Sequence, residues 1–198
     1  MRVRIKVCGT TSVADGLLAA NAGADAVGLI FAPVSKRRVT PELARQVSLA
    51  LGPAVGRLGV FMEQALEDIL RTADRARLTA VQVHGDLPAA DWERLLAEFP
   101  VLRVLKPGDP LPPTHPHQTL MFDAPAPGGG RPLDWAALAP HFPPGAWLAG
   151  GLGPENVAQA IVTLHPAGVD AVSRLESSAG VKDPERVRAF VQAVFSIG

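Results

Sequence analysis

The chain has 198 residues, of which 47% are hydrophobic and 19% charged, a length and composition typical of one packed globular domain. The chain has 19 basic residues (Lys and Arg) and 19 acidic residues (Asp and Glu), so its net charge is zero. It lacks the basic excess that is typical of proteins that bind nucleic acid or a membrane surface. The single cysteine excludes an internal disulfide, and no metal-ligand spacing is present. The sequence contains neither a signal-peptide core nor about 20 consecutive apolar residues, which predicts a cytoplasmic protein.

The first predicted strand ends at the only cysteine of the chain. Val3, Ile5 and Val7 alternate with basic residues up to Cys8, and Gly9 with two threonines then breaks the pattern. The carboxyl end of a strand is where α/β folds collect their functional groups, so the thiol is a candidate for chemistry. The alternative, a small buried hydrophobe, is what most free cysteines are, and this stretch alone leaves it open.

A helix is predicted at 13–22, with Thr11 or Ser12 as its N-cap and Gly23 as the left-handed residue that ends it. Seven further strands are predicted at 24–31, 54–61, 79–83, 101–106, 119–123, 146–149 and 168–172. The later helices are predicted to open at Thr40-Pro41, at 64–73, around Trp92 and Leu95, at 134–139, from Pro154 and at 183–195. Five prolines at 107–116 exclude a regular helix between the fifth and sixth strands.

Eight strand–helix units at regular spacing, without a break in composition, predict a single small (β/α)8 TIM barrel over residues 1–198, with a degenerate fifth helix. A doubly wound open sheet is the alternative. It does not explain why polar residues and glycines recur after nearly every strand, so the barrel is favoured.

In such a barrel the loops after the strands meet at one face and form the site. Their chemical groups are a thiol, a carboxylate, cations and glycine turns, at Cys8, Arg37, His84, Lys106, Asp123, Gly150, Gly151 and Ser173. The Gly150-Gly151 turn before a helix exposes backbone N–H groups suited to a phosphate. Asp123 could simply cap the next loop, but opposite Cys8 it forms an acid–base pair suited to a proton-transfer isomerisation without metal or cofactor.

Six motifs lie in order from residue 6 to residue 183. They are KVCGTT at 6–11, GADAVG at 23–28, SKR at 35–37, AVQVHG at 80–85, GGL with PENV at 150–157, and GVKD at 180–183. Together they resemble the motifs of the phosphoribosylanthranilate isomerase family. The resemblance implies a (β/α)8 barrel that catalyses the Amadori rearrangement of an aminoaldose phosphate in tryptophan biosynthesis.

The resemblance also implies residue roles. Asp123 would protonate the ribose ring oxygen and open the ring to a Schiff base, and Cys8 as thiolate would remove the proton from ribose C2. Arg37 would hold the anthranilate carboxylate, which suits its planar fork. The full set of implied substrate-binding residues is Arg37, Gln82, His84, Gly150, Gly151, Asp170 and Ser173.

Simpler roles remain for three of the polar residues. Arg37 could be a solvated loop charge, and Lys106 likewise. His84 could bond to loop backbone rather than to substrate, and no catalytic role is assigned to it.

Two segments depart from the family pattern. After the eighth strand Arg174 stands where the family has the glycine that lets the backbone approach phosphate, so Arg174 either supplies a cationic contact or weakens phosphate binding. After the sixth strand Gly128, Gly129 and Gly130 lead into Arg131-Pro132, where the family has a lysine. The glycines of this loop suggest a flexible lid over the site.

Three other functions compete with the isomerase. One is a barrel that binds a sugar phosphate without catalysis, and another is a thiol redox enzyme using Cys8, which would lack a second cysteine to resolve a disulfide. The third is isomerisation of a histidine-pathway aminoaldose, whose barrels use paired carboxylates instead of a thiol. As partners we expect a small phosphorylated substrate, no nucleic acid and no membrane, and a homodimer is left open.

Overall fold

The computed structural model describes residues 2–124 and 132–197. Eight parallel strands close into a barrel in chain order, because β1 pairs with both β2 and β8. The strands are β1 Arg4–Val7, β2 Ala26–Ile30, β3 Gly56–Met62, β4 Ala80–His84, β5 Val101–Leu105, β6 Gln118–Phe122, β7 Trp147–Leu148 and β8 Gly168–Ala171. The predicted (β/α)8 barrel is confirmed, and the open sheet is excluded.

Seven helices surround the barrel in the described part of the chain. They are α1 Val13–Ala22, α2 Pro41–Ala50, α3 Leu66–Ala76, α4 Ala89–Glu98, α5 Trp135–Leu138, α6 Val157–Leu164 and α7 Pro184–Phe195. The predicted caps of α1 are confirmed, since the Ser12 side chain accepts from Asp15 N and Gly23 ends the helix at φ +106°. Thr40 caps α2 in the same way, and its first residue is Pro41.

Two helix predictions have different outcomes. Residues 106–117 form no helix between β5 and β6, which confirms the degenerate fifth position. The start of α6 at Pro154 is wrong, because the helix begins at Val157. Asn156 side-chain bonds hold the preceding loop as a turn: Oδ1 accepts from Gly153 N at 2.8 Å, and Nδ2 donates to Gly151 O at 2.9 Å.

The segment after β8 contains a hairpin that the sequence did not predict. Its strands are β9 Glu176–Ser178 and β10 Val181–Lys182, which pair antiparallel. The hairpin brings Glu176 and Lys182 together, and both are buried.

The alternation in β1 separates two buried environments. Ile5 and Val7 join the apolar core between the barrel and the helices. Lys6 and Cys8 occupy the opposite face of the strand, which points into the barrel. Lys6 is 0% exposed, so this basic residue is part of the barrel interior.

Candidate active site

A cavity of about 420 Å³ opens at the carboxyl ends of the strands. Six of the predicted site residues line it, namely Cys8, Arg37, Gln82, His84, Asp123 and Asp170. They lie on or directly after β1, β4, β6 and β8, and in the loop that follows β2, so residues far apart in the sequence meet as the barrel closes. Gly150, Gly151 and Ser173 are not among the lining residues.

Cys8 shares the barrel interior with a buried ion pair. Lys6 Nζ lies 3.0 Å from Asp170 Oδ1, and the two residues are register partners on β1 and β8. Burial raises the pKa of the Cys8 thiol, and the nearby Asp170 carboxylate acts in the same direction. The ammonium groups of Lys6 and Lys182 oppose this rise because they favour the thiolate.

Lys6 stays charged in this setting. Burial alone would lower its pKa, but the Asp170 carboxylate and the Cys8 thiolate together raise it above its ordinary value. Sequence reasoning missed Lys6 as a functional residue. The available signal was its position two residues before Cys8 on a strand covered on both faces.

Gly28 makes room for the thiol. It lies on β2 beside the end of β1, and a Cβ there would overlap Cys8 Sγ and lie 2.9 Å from Cys8 Cβ. The sulfur therefore fills the space that any other side chain at position 28 would need.

Asp123 faces the cavity directly after β6 and is 8% exposed. Burial raises the pKa of its carboxyl to about 6, although the hydrogen bond from Ala124 N to Oδ1, 2.7 Å long, acts in the opposite direction. Gly150 packs against this carboxyl at φ +91°, and a Cβ there would lie 3.2 Å from Asp123 Oδ1. Gly150 thus acts on the site through Asp123.

Gln82 and His84 form a neutral pair on β4. The distance from Gln82 Nε2 to His84 Nε2 is 2.9 Å, which replaces the predicted alternative of a bond to loop backbone. Burial, and then the charges of Lys6 and Lys106, lower the pKa of His84 to about 4. The ring is therefore neutral near pH 7 and accepts the amide N–H. Gln82 Oε1 is buried and has no hydrogen-bond partner among residues 2–124 and 132–197.

Arg37 is not a solvated loop charge. Its side chain is 15% exposed, and Nε and Nη2 donate to the carboxylate of Glu176 at 2.8 and 2.7 Å. Lys106, in contrast, is exposed, at the edge of an adjoining cavity of about 540 Å³ that also reaches His84 and Asp123.

The predicted phosphate segments lie beside the cavity. Gly151 has a positive φ of +66°, and Ser173 begins a 3₁₀ turn, Ser173–Leu175. Arg174 forms an ion pair with Glu155, which lies just before α6. The Arg174 side chain also packs against Gly153, where an added Cβ would lie 2.9 Å from Arg174 Cδ. The predicted lid falls on a glycine-rich loop of which residues 125–131 lie outside the described residues.

The described ranges contain neither a metal-binding cluster nor a membrane-spanning helix. No group of three or more His, Cys, Asp or Glu side chains there could hold a metal ion. Nor does any helix within those ranges combine the length and apolarity needed to cross a bilayer.

A family model described as N-(5'phosphoribosyl)anthranilate (PRA) isomerase matches residues 5–193 of the chain. The chain belongs to the phosphoribosylanthranilate isomerase family. A member of this family from Deinococcus radiodurans is 61% identical over 201 residues, which cover 98% of this chain and 97% of that protein.

Solved structures of the phosphoribosylanthranilate isomerase family have the same fold. The enzyme from Thermus thermophilus matches with a TM-score of 0.90 and 37% identity, covering 99% of this chain and 100% of that one. Another isomerase, in complex with reduced 1-(o-carboxyphenylamino)-1-deoxyribulose 5-phosphate, matches with a TM-score of 0.85 and 32% identity, covering 98% and 99% of the two chains.

Proposed function

We propose that the protein converts N-(5-phosphoribosyl)anthranilate to 1-(2-carboxyphenylamino)-1-deoxyribulose 5-phosphate in tryptophan biosynthesis, with Asp123 as general acid and Cys8 as general base. The observation that carries the proposal is that these two side chains, from the ends of β6 and β1, line one cavity. Its volume of about 420 Å³ falls within the usual range for small-molecule sites.

Asp123 begins the reaction as the acid. It gives its proton to the ribose ring oxygen as the bond from that oxygen to C1 breaks, and the anilino nitrogen lone pair forms the C=N bond of a Schiff base. A carboxyl with a pKa of about 6 keeps its proton in roughly a tenth of molecules at pH 7, far more than an ordinary aspartate does. Burial thus supports the role of donor.

Cys8 completes the reaction as the base. Its thiolate removes the C2 proton, and the C–H electrons form a C1–C2 double bond while the C=N electrons return to nitrogen. The resulting enolamine tautomerises to the ketone. The thiolate form is opposed by burial and supported by the ammonium of Lys6, which the same strand places on the same face.

The remaining cavity residues support binding. We assign the anthranilate carboxylate to Arg37 and the ribose hydroxyls to Gln82 and His84, since buried Gln82 Oε1 needs a hydrogen-bond donor. Phosphate is assigned to the loops that contain Gly150-Gly151 and Ser173. Asp170, which pairs with Lys6, acts through that ammonium instead of being a primary substrate contact.

Three wider predictions accompany this function. One barrel domain over residues 1–198 is supported by the pairing of β1 with β8, which uses nearly the whole chain. A cytoplasmic location and a homodimer stay predictions. Light scattering of the purified protein would measure the molar mass and decide between monomer and dimer.

The reaction itself is tested by mixing the purified protein with freshly prepared phosphoribosylanthranilate and following the spectral change of the anthranilate group. Enzymatic conversion supports the proposal. Tight binding of a reduced product analogue without any conversion at any pH would instead indicate a non-catalytic barrel. Conversion that needs added thiol oxidant or reductant would indicate the redox alternative.

A further inference from the structure

The guanidinium of Arg37 is held along one edge by Glu176. Arg37 Nε donates to Oε1 at 2.8 Å and Nη2 donates to Oε2 at 2.7 Å, which is the side-on bidentate arrangement. These two bonds use the Nε–H and one N–H of Nη2. The N–H groups of Nη1 and the second N–H of Nη2, which form the end-on edge, have no hydrogen-bond partner in the described part of the chain.

Glu176 is itself fixed from the other side. Its side chain is 3% exposed, and Oε1 also accepts from Lys182 Nζ at 3.1 Å across the β9–β10 hairpin. Arg186 Nη1 donates to the backbone oxygen of Glu176 at 3.1 Å. The carboxylate is therefore a rigid support and not a mobile counter-ion.

The stem of Arg37 is confined as well. The Arg37 side chain packs directly against Gly9, where an added Cβ would lie 2.7 Å from Arg37 Cδ and 3.5 Å from Glu176 Oε1. Gly9 has φ +73°, a conformation that other residues rarely adopt, so backbone and side chain fit together only with glycine there.

The cluster carries a formal excess of one positive charge. Burial opposes ionisation of Glu176, but its bonds to Arg37 and Lys182 outweigh burial and hold its pKa below the ordinary value. With all three groups ionised the cluster has two cations and one anion, although burial lowers the pKa of Lys182 and the Glu176 carboxylate only partly opposes this. Arg37 lines the cavity, whereas Glu176 and Lys182 do not, so the guanidinium is the part of the cluster that faces the substrate.

We propose that Glu176 is a positioning residue for substrate selection: it fixes Arg37 so that only the end-on edge is offered to the planar carboxylate of the substrate's aromatic ring. This inference rests on the proposed function. Glu176 does not contact the substrate, and its effect is transmitted through Arg37.

Two inhibitors differing only in the ring carboxylate provide the test. One is reduced 1-(o-carboxyphenylamino)-1-deoxyribulose 5-phosphate, and the other is the same compound with an unsubstituted phenylamino group, which lacks the ring carboxylate. The ratio of the two Kd values measures the preference for the carboxylate. Glu176→Gln is expected to reduce this preference about tenfold, the effect of one charge-assisted hydrogen bond. Glu67→Gln, in which an exposed glutamate paired with Arg94 is changed, should leave it unaltered.

A double-mutant cycle separates positioning from general damage. In an Arg37→Ala background Glu176→Gln should no longer change the ratio, because the group through which it acts is gone. An unchanged ratio in the single variant, or an equal loss in both backgrounds, would overturn the proposal. If Glu176→Gln does not fold, Glu176→Asp retains the buried charge, withdraws it from Arg37 and is judged by the same criteria.

The readout is binding, so it is independent of turnover. A wild-type protein that prefers the carboxylated inhibitor but converts no substrate would contradict the proposed function and leave the role of Glu176 standing. A wild-type protein without that preference would overturn the role of Glu176.

Discussion

Lys6 and Asp170 form an ion pair inside the barrel, with Nζ 3.0 Å from Oδ1 and side chains that are 0% and 4% exposed. The pair lies near the Cys8 thiol, because Cys8 follows β1 on the same inward side as Lys6 and lines the same cavity as Asp170. Neither Lys6 Nζ nor Asp170 Oδ1 makes a well-aligned hydrogen bond within the described residues. The two charges act on the pKa of the Cys8 thiol in opposite directions, Lys6 lowering it and Asp170 raising it.

We predict opposite effects on the thiol when the two partners are changed. Lys6→Met removes a cation and should raise the pKa of Cys8, whereas Asp170→Asn removes an anion and should lower it. Thiolate absorbance against pH measures this directly, because Cys8 is the only cysteine. Each variant should also lose about 3–5 kcal/mol of stability, since it leaves one buried charge unpaired. Shifts of the thiol pKa in the same direction would disprove the assignment.

Asp123→Asn should stabilise the fold at neutral pH. The carboxyl has a pKa of about 6 when folded and an ordinary, lower value when unfolded, so the folded state binds more protons between those two values. The wild type therefore loses stability as pH rises through about 6, and the asparagine variant does not. Urea unfolding at pH 4 and pH 8 should show a gain for the variant of up to about 3 kcal/mol at the higher pH only. A gain of equal size at both pH values would argue against a raised pKa.

Gly28→Ala should damage catalysis more than stability alone explains. The added methyl would overlap Cys8 Sγ, so the thiol must move. We expect at least a tenfold loss in kcat together with a loss of about 1–3 kcal/mol in stability. Gly59→Ala is the matched control, because a Cβ there overlaps Leu78 and Phe61 and not the thiol. Equal kcat losses in both variants would mean that Gly28 has no special relation to the site.

Gly150→Ala should lower kcat by moving the acid. Its Cβ would lie 2.9 Å from Ala124 N and 3.2 Å from Asp123 Oδ1, in addition to the strain at φ +91°. Gly145→Ala carries the same kind of strain at φ +83° but meets no atom within 4 Å. Thermal unfolding should show a loss of about 1 kcal/mol for Gly145→Ala and a larger loss for Gly150→Ala, and steady-state kinetics at least a tenfold fall in kcat for Gly150→Ala alone. Similar kinetics in both variants would contradict the contact with Asp123.

The sequence predicted what depends on local pattern. Strand ends placed Cys8 and Asp123 on one face, and the prolines at 107–116 accounted for the lost helix. It did not distinguish Arg4, whose side chain is 61% exposed beside Asp25, from Lys6, which is fully buried. The difference is set by Asp170 on β8, which is adjacent only after the barrel closes.

Other features depend on contacts that no local pattern encodes. Glu176 meets Arg37 across 139 positions of sequence, and this bond makes Arg37 part of a buried cluster. Asn156 ties the loop before α6, which delays the helix to Val157 even though Pro154 is an acceptable first residue. Such long-range or side-chain-to-backbone bonds are visible only in the folded molecule.

The most direct test of the central claim is turnover of freshly prepared phosphoribosylanthranilate by the wild type beside Cys8→Ser and Asp123→Asn. Each variant should retain its fold and bind the reduced product analogue, while its kcat falls by about 10²–10⁴, the usual contribution of one acid or base. Near-full turnover by either folded variant would remove that residue from the mechanism and contradict the assignment.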